Sequence, residues 1–452
     1  MRTLIAATCV LGAVLGAGCT ADSSKVRPIE DELFYPTGMA VAPDDSVAFV
    51  ANANSELRYD SGAVMVLDLA LVDSVISDWV KNKALPDGDD DGDGEADCAQ
   101  DPDRSETLIC DESRFFEERA GVRIGNFATD IGIQDRGNGA LRLFVPTRGD
   151  PSIAWADWDG SRLACSSNSD PDALCDDNHR LSYLNNDSGQ SSIPEEPFNV
   201  YADSKGEFAM VTHLTSGAVT LINSPKDSQD VGVTDVLTGI FAADGNGLRG
   251  ATGVTGSPSG NGIVYVGSRT EDRIQTFTVG HPANGASPFL LPGEWFFLDG
   301  VGANTGGSSD TRGMTFSPSG ERMYLVNRRP PSLQVYDESL TATGAPANNA
   351  IGATDICRQA STVAISGVGA DERAYITCFQ DGQLYVVNPR SGVYVEDIIL
   401  VGRGPYSVAT ARSRNKLFVT NFLEDTIAVI DIDPASPTRN RVVLRIGTPK
   451  AP

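Results

Sequence analysis

Residues 320–339, GERMYLVNRRPPSLQVYDES, and residues 415–433, NKLFVTNFLEDTIAVIDID, are two copies of one pattern. Each has an apolar run closed by a polar marker, Leu325-Val326-Asn327 or Val419-Thr420-Asn421. A polar turn and a second apolar run follow. Looser copies end at Val50-Ala51-Asn52, Val145-Pro146-Thr147, Val211-Thr212-His213, Val266-Gly267-Ser268 and Ile376-Thr377-Cys378, making seven. A supersecondary unit that cannot bury its apolar face alone must stack on its neighbours, so the repeat decides the fold class before any single residue does.

Between the two runs of a copy, and before the first, the connections are tight turns. Ser317-Pro318-Ser319-Gly320 joins two strands, because Pro presets the bend and Gly accepts positive φ. The runs 323–326, 417–419 and 427–430 are continuous rather than alternating, as expected of strands covered on both faces. A fourth, outer strand is visible in residues 394–402 and 441–447. Marker spacing falls from 95 residues between the first two copies to 43 between the last two. The shorter spacing matches the ~40–45 residues of a four-stranded propeller blade, and the longer ones hold insertions. We therefore expect an all-β chain: a seven-bladed β-propeller of four-stranded antiparallel blades over residues 34–452. Insertions are expected at 71–120, between blades 1 and 2, and at 161–195. Radial closure would leave only short, protected strand edges.

Residues 402–433, GRGPYSVATARSRNKLFVTNFLEDTIAVIDID, resemble the YVTN repeat of bacterial and archaeal seven-bladed propellers, a superfamily that includes lactonase-like enzymes. The resemblance spans residues 34–447 and is strongest in the fifth and seventh copies. It implies the propeller; the superfamily is functionally mixed, so function has to be argued from a site.

At the amino terminus, Met1-Arg2 and the apolar residues 4–18 read as a secretion signal, too short for a membrane span. Leu15-Gly16-Ala17-Gly18-Cys19 resembles the lipobox of bacterial lipoproteins, with Gly16 where that family prefers Leu. The resemblance implies cleavage after residue 18, acyl chains on Cys19 and a tether over 19–33. Thr20 in place of Asp after the cysteine implies the outer membrane. Several acyl chains anchor stably where one does not. The alternative is an ordinary signal peptide with an incidental cysteine.

Formal net charge is −26, from 35 basic and 61 acidic side chains; removing residues 1–18 takes away Arg2 alone and leaves −27. Such a balance opposes nucleic-acid and anionic-membrane binding and favours solubility at a cell surface. With Cys9 and Cys19 set aside, six cysteines remain: Cys98, Cys110, Cys165, Cys175, Cys357 and Cys378. An even remainder in an exported chain points to disulfides, with fifteen connectivities open. Proximity favours Cys98–Cys110 and Cys165–Cys175, leaving Cys357–Cys378 to tie an entry strand to the second strand of blade 6.

The first insertion opens with residues 70–85, ALVDSVISDWVKNKAL, whose spacing predicts a helix with Leu71, Val75, Ile76, Trp79 and Val80 on one face. DGDDDGDGEADC, residues 87–98, follows. Calcium takes several carboxylate oxygens from a tightly turned loop. Asp87, Asp89, Asp91, Asp93 and Asp97, with Gly92 and Gly94, are candidate ligands of a structural calcium ion. The run resembles thrombospondin type-3 and EF-hand-like loops, but position twelve is Cys98 or Gln100, where the EF-hand has Glu. The alternative is a solvated acid run. The second insertion reads as a stapled surface loop.

No catalytic constellation emerges. His179 and His281 fall in loops and His213 at a strand end; no nucleophile elbow occurs. Gly245-x-Gly247-x-x-Gly250 matches a dinucleotide fingerprint in letters, but ATGVTGSPSG after it cannot open a helix. Arginines are the notable group. Arg249, Arg312, Arg358 and Arg403 lie in the entry segments of blades 4–7, and Arg148, Arg269, Arg328 and Arg329 follow second-strand markers. Both kinds of loop project from one face, so the arginines could form a cationic funnel for a carboxylate, phosphate or acidic peptide. Pairing with Asp150, Glu271, Asp272 and Asp310 is the alternative. The reading is a binding or scaffold propeller for an envelope protein or small anionic ligand. A lactonase-like hydrolase, with Asp130 and Asp310 as the available entry carboxylates, is the runner-up.

Overall fold

The computed structural model describes residues 26–450 except 87–95, 168–172, 187–188, 284–286 and 299–308. Seven antiparallel sheets follow one another along the chain, each beginning with its inner strand. The inner strands are Pro36–Val41, Gly132–Gly137, Pro197–Ala202, Ala251–Gly256, Thr311–Phe316, Ala360–Ser366 and Pro405–Ala411. Neighbouring inner strands pack side by side, and the last meets the first, so the ring closes. Second strands such as Arg322–Arg328 and Lys416–Asn421 are buried on both faces, as their continuous apolar runs predict. Apolar clusters accordingly lie between blades: Tyr324 and Val326 of blade 5 pack with Ile365 and Ile376 of blade 6.

Every inner strand carries the same irregularity. Three of its residues oppose two on the second strand, as where Pro36 faces Asn52 but Met39 faces Val50. The shift recurs at Pro197, Ala251, Thr311, Ala360 and Pro405. Blade 2 repeats it, with Ala128 bridging Thr147 before Gly132 faces Phe144. A bulge bends the strand and re-aims its side chains; here it turns two residues per blade toward the axis. Blades 1, 4 and 5 have Gly38, Gly253 or Gly313 at the second of these. A Cβ there would come within 2.7 Å of the Asp130 backbone, 2.5 Å of the Arg312 carbonyl oxygen and 2.8 Å of Thr362 Cα respectively.

The seams between blades are hydrogen-bonded beside these bulges. Thr37 Oγ1 donates to Ala128 O (2.9 Å), Thr129 to Phe198 O, Thr212 to Thr252 O (2.6 Å) and Thr252 to Thr311 O. Thr362 and Thr377 both donate to Tyr406 O (3.0 and 3.2 Å), and Thr420 to Thr37 O (3.0 Å), which closes the circle. At the remaining seam, blade 5 to blade 6, Arg328 Nε donates to Ala360 O (2.6 Å). The marker asparagines hold the entry segments: Asn52 Oδ1 accepts from Phe34 N and Asn327 Oδ1 from Asp310 N.

The insertion leaves blade 1 after its third strand, and the chain then returns to make that blade's outer strand, Val122–Ile124. Its helix spans Leu69–Asn82, capped by Asp68, whose carboxylate accepts from Ala70 N and Leu71 N. The buried face is Leu69, Val72, Val75, Ile76 and Trp79; Leu71 and Val80 are exposed, which corrects the predicted face. At 100° per residue these five fill one arc, and Leu71 and Val80 fall at its two margins. The hairpin Cys98–Gln100 and Leu108–Cys110 crosses to blade 7 and adds in parallel to its outer strand Arg441–Ile446. Cys98–Cys110, Cys165–Cys175 and Cys357–Cys378 are disulfide-bonded. Residues 26–33, within the expected tether, lie against blade 1, where Asp60 N donates to Val26 O and Leu33 is fully buried. Among the described residues no helix is long and apolar enough to cross a membrane.

Thr420→Val keeps shape but removes the donor to Thr37 O and the acceptor for Ser407 N. Leaving buried backbone groups unpaired costs about 1–3 kcal/mol each. Urea denaturation should therefore show a midpoint clearly below wild type with an unchanged slope; an unaltered midpoint would deny the seam its role.

Candidate anion site at the channel mouth

The face that carries the entry segments and the loops after the second strands surrounds one end of the bore. Three side chains at first bulge positions meet there: Phe198 from blade 3, Arg312 from blade 5 and Tyr406 from blade 7. The Arg312 guanidinium lies 5.6 Å from the Phe198 ring centre. Tyr406 is half-buried, and the desolvation raises its pKa against the opposing pull of Arg312, Arg148 and Arg328.

Of the arginines expected at this face, Arg148, Arg269, Arg312 and Arg328 come together. Arg148 donates to Glu196, an interaction of side chains from blades 2 and 3. Arg312 Nη2 donates to Asp310 Oδ2 at 3.2 Å; its Nε lies 2.8 Å from Oδ1, an ion-pair contact without hydrogen-bond alignment. Arg328 serves the Ala360 carbonyl and the Ser361 hydroxyl and has no carboxylate within ion-pair distance among the described residues. Burial first, then repulsion from Arg312, pushes its pKa down to about 10, so it stays charged at neutral pH. Arg269 also lacks an ion-pair partner among the described residues; burial and then Arg312 lower its pKa. Its stem packs on Gly250, and its carbonyl accepts from Arg329.

The other arginines stand apart. Arg249 donates to Phe241 O and is exposed; Arg403 pairs with Glu424 and donates to Lys450 O; Arg358 is exposed on the entry to blade 6. The expected neutralising carboxylates are mostly engaged elsewhere: Asp150 with Arg180, Glu271 with Arg273 and Asp272 with Ser309. Only Asp310 fills that role, joined by Glu196.

Opposite the arginines the mouth is aromatic. Tyr35 and Phe422 ring centres are 5.3 Å apart, and Phe422 lies 6.1 Å from both Phe379 and Tyr406. Sequence reading missed this arc and Glu196. Their signal was positional: Phe379 and Phe422 follow markers, Tyr406 occupies a bulge position, and Tyr35 and Glu196 stand one residue before inner strands.

Deeper in the bore, Asp130 accepts from Ile131 N (2.9 Å) and Val200 N (3.1 Å). Burial raises its carboxyl to about 6, and the two amide donors only partly oppose this. His213 is structural: fully buried between Glu195 O and the Thr220 hydroxyl, with burial lowering its pKa to about 4. Asp87, Asp89, Asp91 and Asp93 lie outside the described residues, as does Cys19. Asp97 is described, and its carboxylate pairs with Arg114 at 2.8 Å. Among the described residues no group of three or more His, Cys, Asp or Glu side chains could hold a metal ion.

No family model matches the chain. Solved structures do resemble it. A Lactobacillus plantarum protein aligns with a TM-score of 0.53 and 14% identity, over 72% of this chain and 86% of its own. Hydrazine synthase of Kuenenia stuttgartiensis aligns at 0.53 and 12%, over 91% and 98%. A Bacteroides fragilis protein, assigned provisionally as a 6-phosphogluconolactonase, aligns at 0.53 and 13%, over 92% and 98%. At such identities the likeness establishes the propeller fold.

The raised Asp130 pKa has a stability consequence with a definite sign. A carboxyl held above its ordinary 3.8 binds its proton more tightly folded than unfolded. Its contribution is fully present below the ordinary value and lost as pH rises through about 6. The ceiling is about 3 kcal/mol, reduced because Asp130 is only half-buried. Between pH 4 and 7 the wild-type melting temperature should fall more steeply than that of Asp130→Asn; parallel profiles would contradict this.

Proposed function

We propose that this chain is a binding propeller whose channel mouth takes a small organic anion. One observation carries the reading: Arg269 and Arg328 lack ion-pair partners among the described residues, beside Arg312 and Arg148, in a chain of net charge −26. Crowded, partly buried guanidiniums are costly without counter-charge, and planar forks match carboxylate and phosphate oxygens. The aromatic arc of Tyr35, Phe379, Tyr406 and Phe422 offers the flat surface on which a ligand body would rest. Calorimetric titration with isophthalate should show one site. Arg269→Gln should weaken it about tenfold, the size of a lost charge-assisted bond, and raised salt should weaken it further. Absence of heat at millimolar ligand, or an unchanged affinity in the variant, would defeat the proposal.

A second reading, hydrolysis of a lactone, is favoured by Asp130. A carboxyl titrating near neutrality is a stronger base than an ordinary one and suits activation of water against a ring ester. The arginines would then hold an anionic substituent or the developing oxyanion. Lactone opening followed at constant pH should disappear in Asp130→Asn while isophthalate binding survives. Retention of the rate would remove this reading.

Two further assignments complete the proposal. Cys19 would carry the lipid that places the propeller on the cell envelope, with the mouth available to an envelope partner. The acid run would hold calcium through Asp87, Asp89, Asp91 and Asp93, with Asp97 committed to Arg114. Because the adjoining hairpin lies on blade 7, calcium should raise the thermal midpoint of the whole domain. A midpoint indifferent to chelator would exclude a structural ion.

A further inference from the structure

The face opposite the mouth has a cleft of about 220 Å3 where the turns of blades 5, 6 and 7 converge. It is built from the turns between first and second strands, with Val368, Asp371 and Arg412, and from the loop before the last outer strand, with Ile432 and Arg439. By strand topology these connections lie at the opposite end of each blade from Arg269 and Arg312. Tyr375 also lines the cleft. It is 2% exposed, yet its hydroxyl takes no hydrogen bond among the described residues. Arg439 Nε is buried and equally without a partner. Arg412 is exposed and forms no ion pair there. Arg373, the third arginine, is already held by Glu396.

Buried donors without acceptors are uncommon in folded proteins and ask for an explanation. Here a buried, unpaired guanidinium nitrogen lines one small cleft beside a phenol hydroxyl that opens into it without a protein partner, with a second cation at the rim. Asp371 is the sole unpaired carboxylate in the lining, so Arg412 and Arg439 leave it net positive. Pro318, Val368 and Ile432 make the remaining wall apolar. We propose that this cleft is a second ligand site, which takes a small oxyanion on a short aliphatic body. Arg439 and the Tyr375 hydroxyl bind its oxygens, Arg412 supplies charge, and the apolar wall receives the carbon chain. The site is independent of the mouth and shares no residue with it.

The test is calorimetric titration of inorganic phosphate and of propionate, at constant ionic strength, into wild type, Arg439→Gln, Tyr375→Phe and Arg269→Gln. Arg269→Gln, which weakens the mouth, should retain one site with the affinity that wild type shows for the cleft. Arg439→Gln should weaken binding about tenfold and Tyr375→Phe a few-fold. Propionate binding more tightly than phosphate would assign the wall its role. Tyr375→Phe removes one oxygen without changing shape, so it keeps the test informative if Arg439→Gln unfolds. Absence of binding at 10 mM (roughly the weak limit for such small ligands), or affinities that ignore both cleft variants, would overturn the assignment. Loss confined to Arg269→Gln would transfer the anion to the mouth.

Discussion

The propeller depends on one interaction repeated around its axis: a side-chain donor from each blade reaching a backbone carbonyl of the next. The bulge makes this necessary. By opposing three residues to two, it frees inner-strand carbonyls that no ladder partner can reach, and a buried free carbonyl is costly. In six blades two positions supply the donor, joined in blade 6 by the second bulge residue Thr362. In blades 1, 2 and 4 it is the first bulge residue, Thr37, Thr129 or Thr252, and the marker's middle residue is Ala51, Pro146 or Gly267. In blades 3, 6 and 7 the marker supplies Thr212, Thr377 or Thr420. The exchange is reciprocal, so each of these six blades has a hydroxyl at one place and is released from it at the other.

That release is what builds the mouth. Where the marker carries the threonine, the first bulge position becomes Phe198, Ser361 or Tyr406. Blade 5 has a hydroxyl at neither place, having Arg312 and Val326, and its seam passes to Arg328. Arg328 is thus a structural donor and a member of the cation cluster at once. The candidate site residues stand where the structural rule is relaxed, as expected when local consistency is given up for a site.

Closure of the ring has a second layer outside the axis. Blades 1 and 7 come from opposite ends of the chain, and the first insertion spans their seam. Its hairpin extends blade 7, Thr107 Oγ1 donates to Val442 O, and Gly447 N donates to Cys110 O. On the other face Asp45 accepts from Ser413, while Arg414 reaches Asp45 O and Asp73 of the helix. The disulfide joins two directly paired residues of that hairpin, so it limits the freedom of an unfolded loop that would otherwise have to find blade 7 unaided.

Much of this was legible in the residues. The seven markers, the interdigitated cores and all three cysteine pairs follow from repeat order, apolar runs and proximity. What was hidden depended on register. The helix face differed only at its margins, where Leu71 and Val80 fall just outside the buried arc. The arginines divided likewise: Arg312 sits at the first bulge position and faces the axis, whereas Arg249, Arg358 and Arg403 lie on connections before the bulge and face outward. Spacing places all of them on one face but cannot say which lie inside the ring. The same geometry bears on selectivity. A net charge of −26 repels anions at long range, yet screening confines that field to about 8–10 Å in physiological salt. Inside the mouth four guanidiniums outnumber the two carboxylates paired with them, Glu196 and Asp310, in surroundings of lower dielectric where each charge is felt more strongly. An anion that has crossed the outer surface therefore meets a local potential of the opposite sign. Under the proposed function, a small ligand able to enter the bore would gain from that field, while a large acidic polymer would stay exposed to the repulsive exterior.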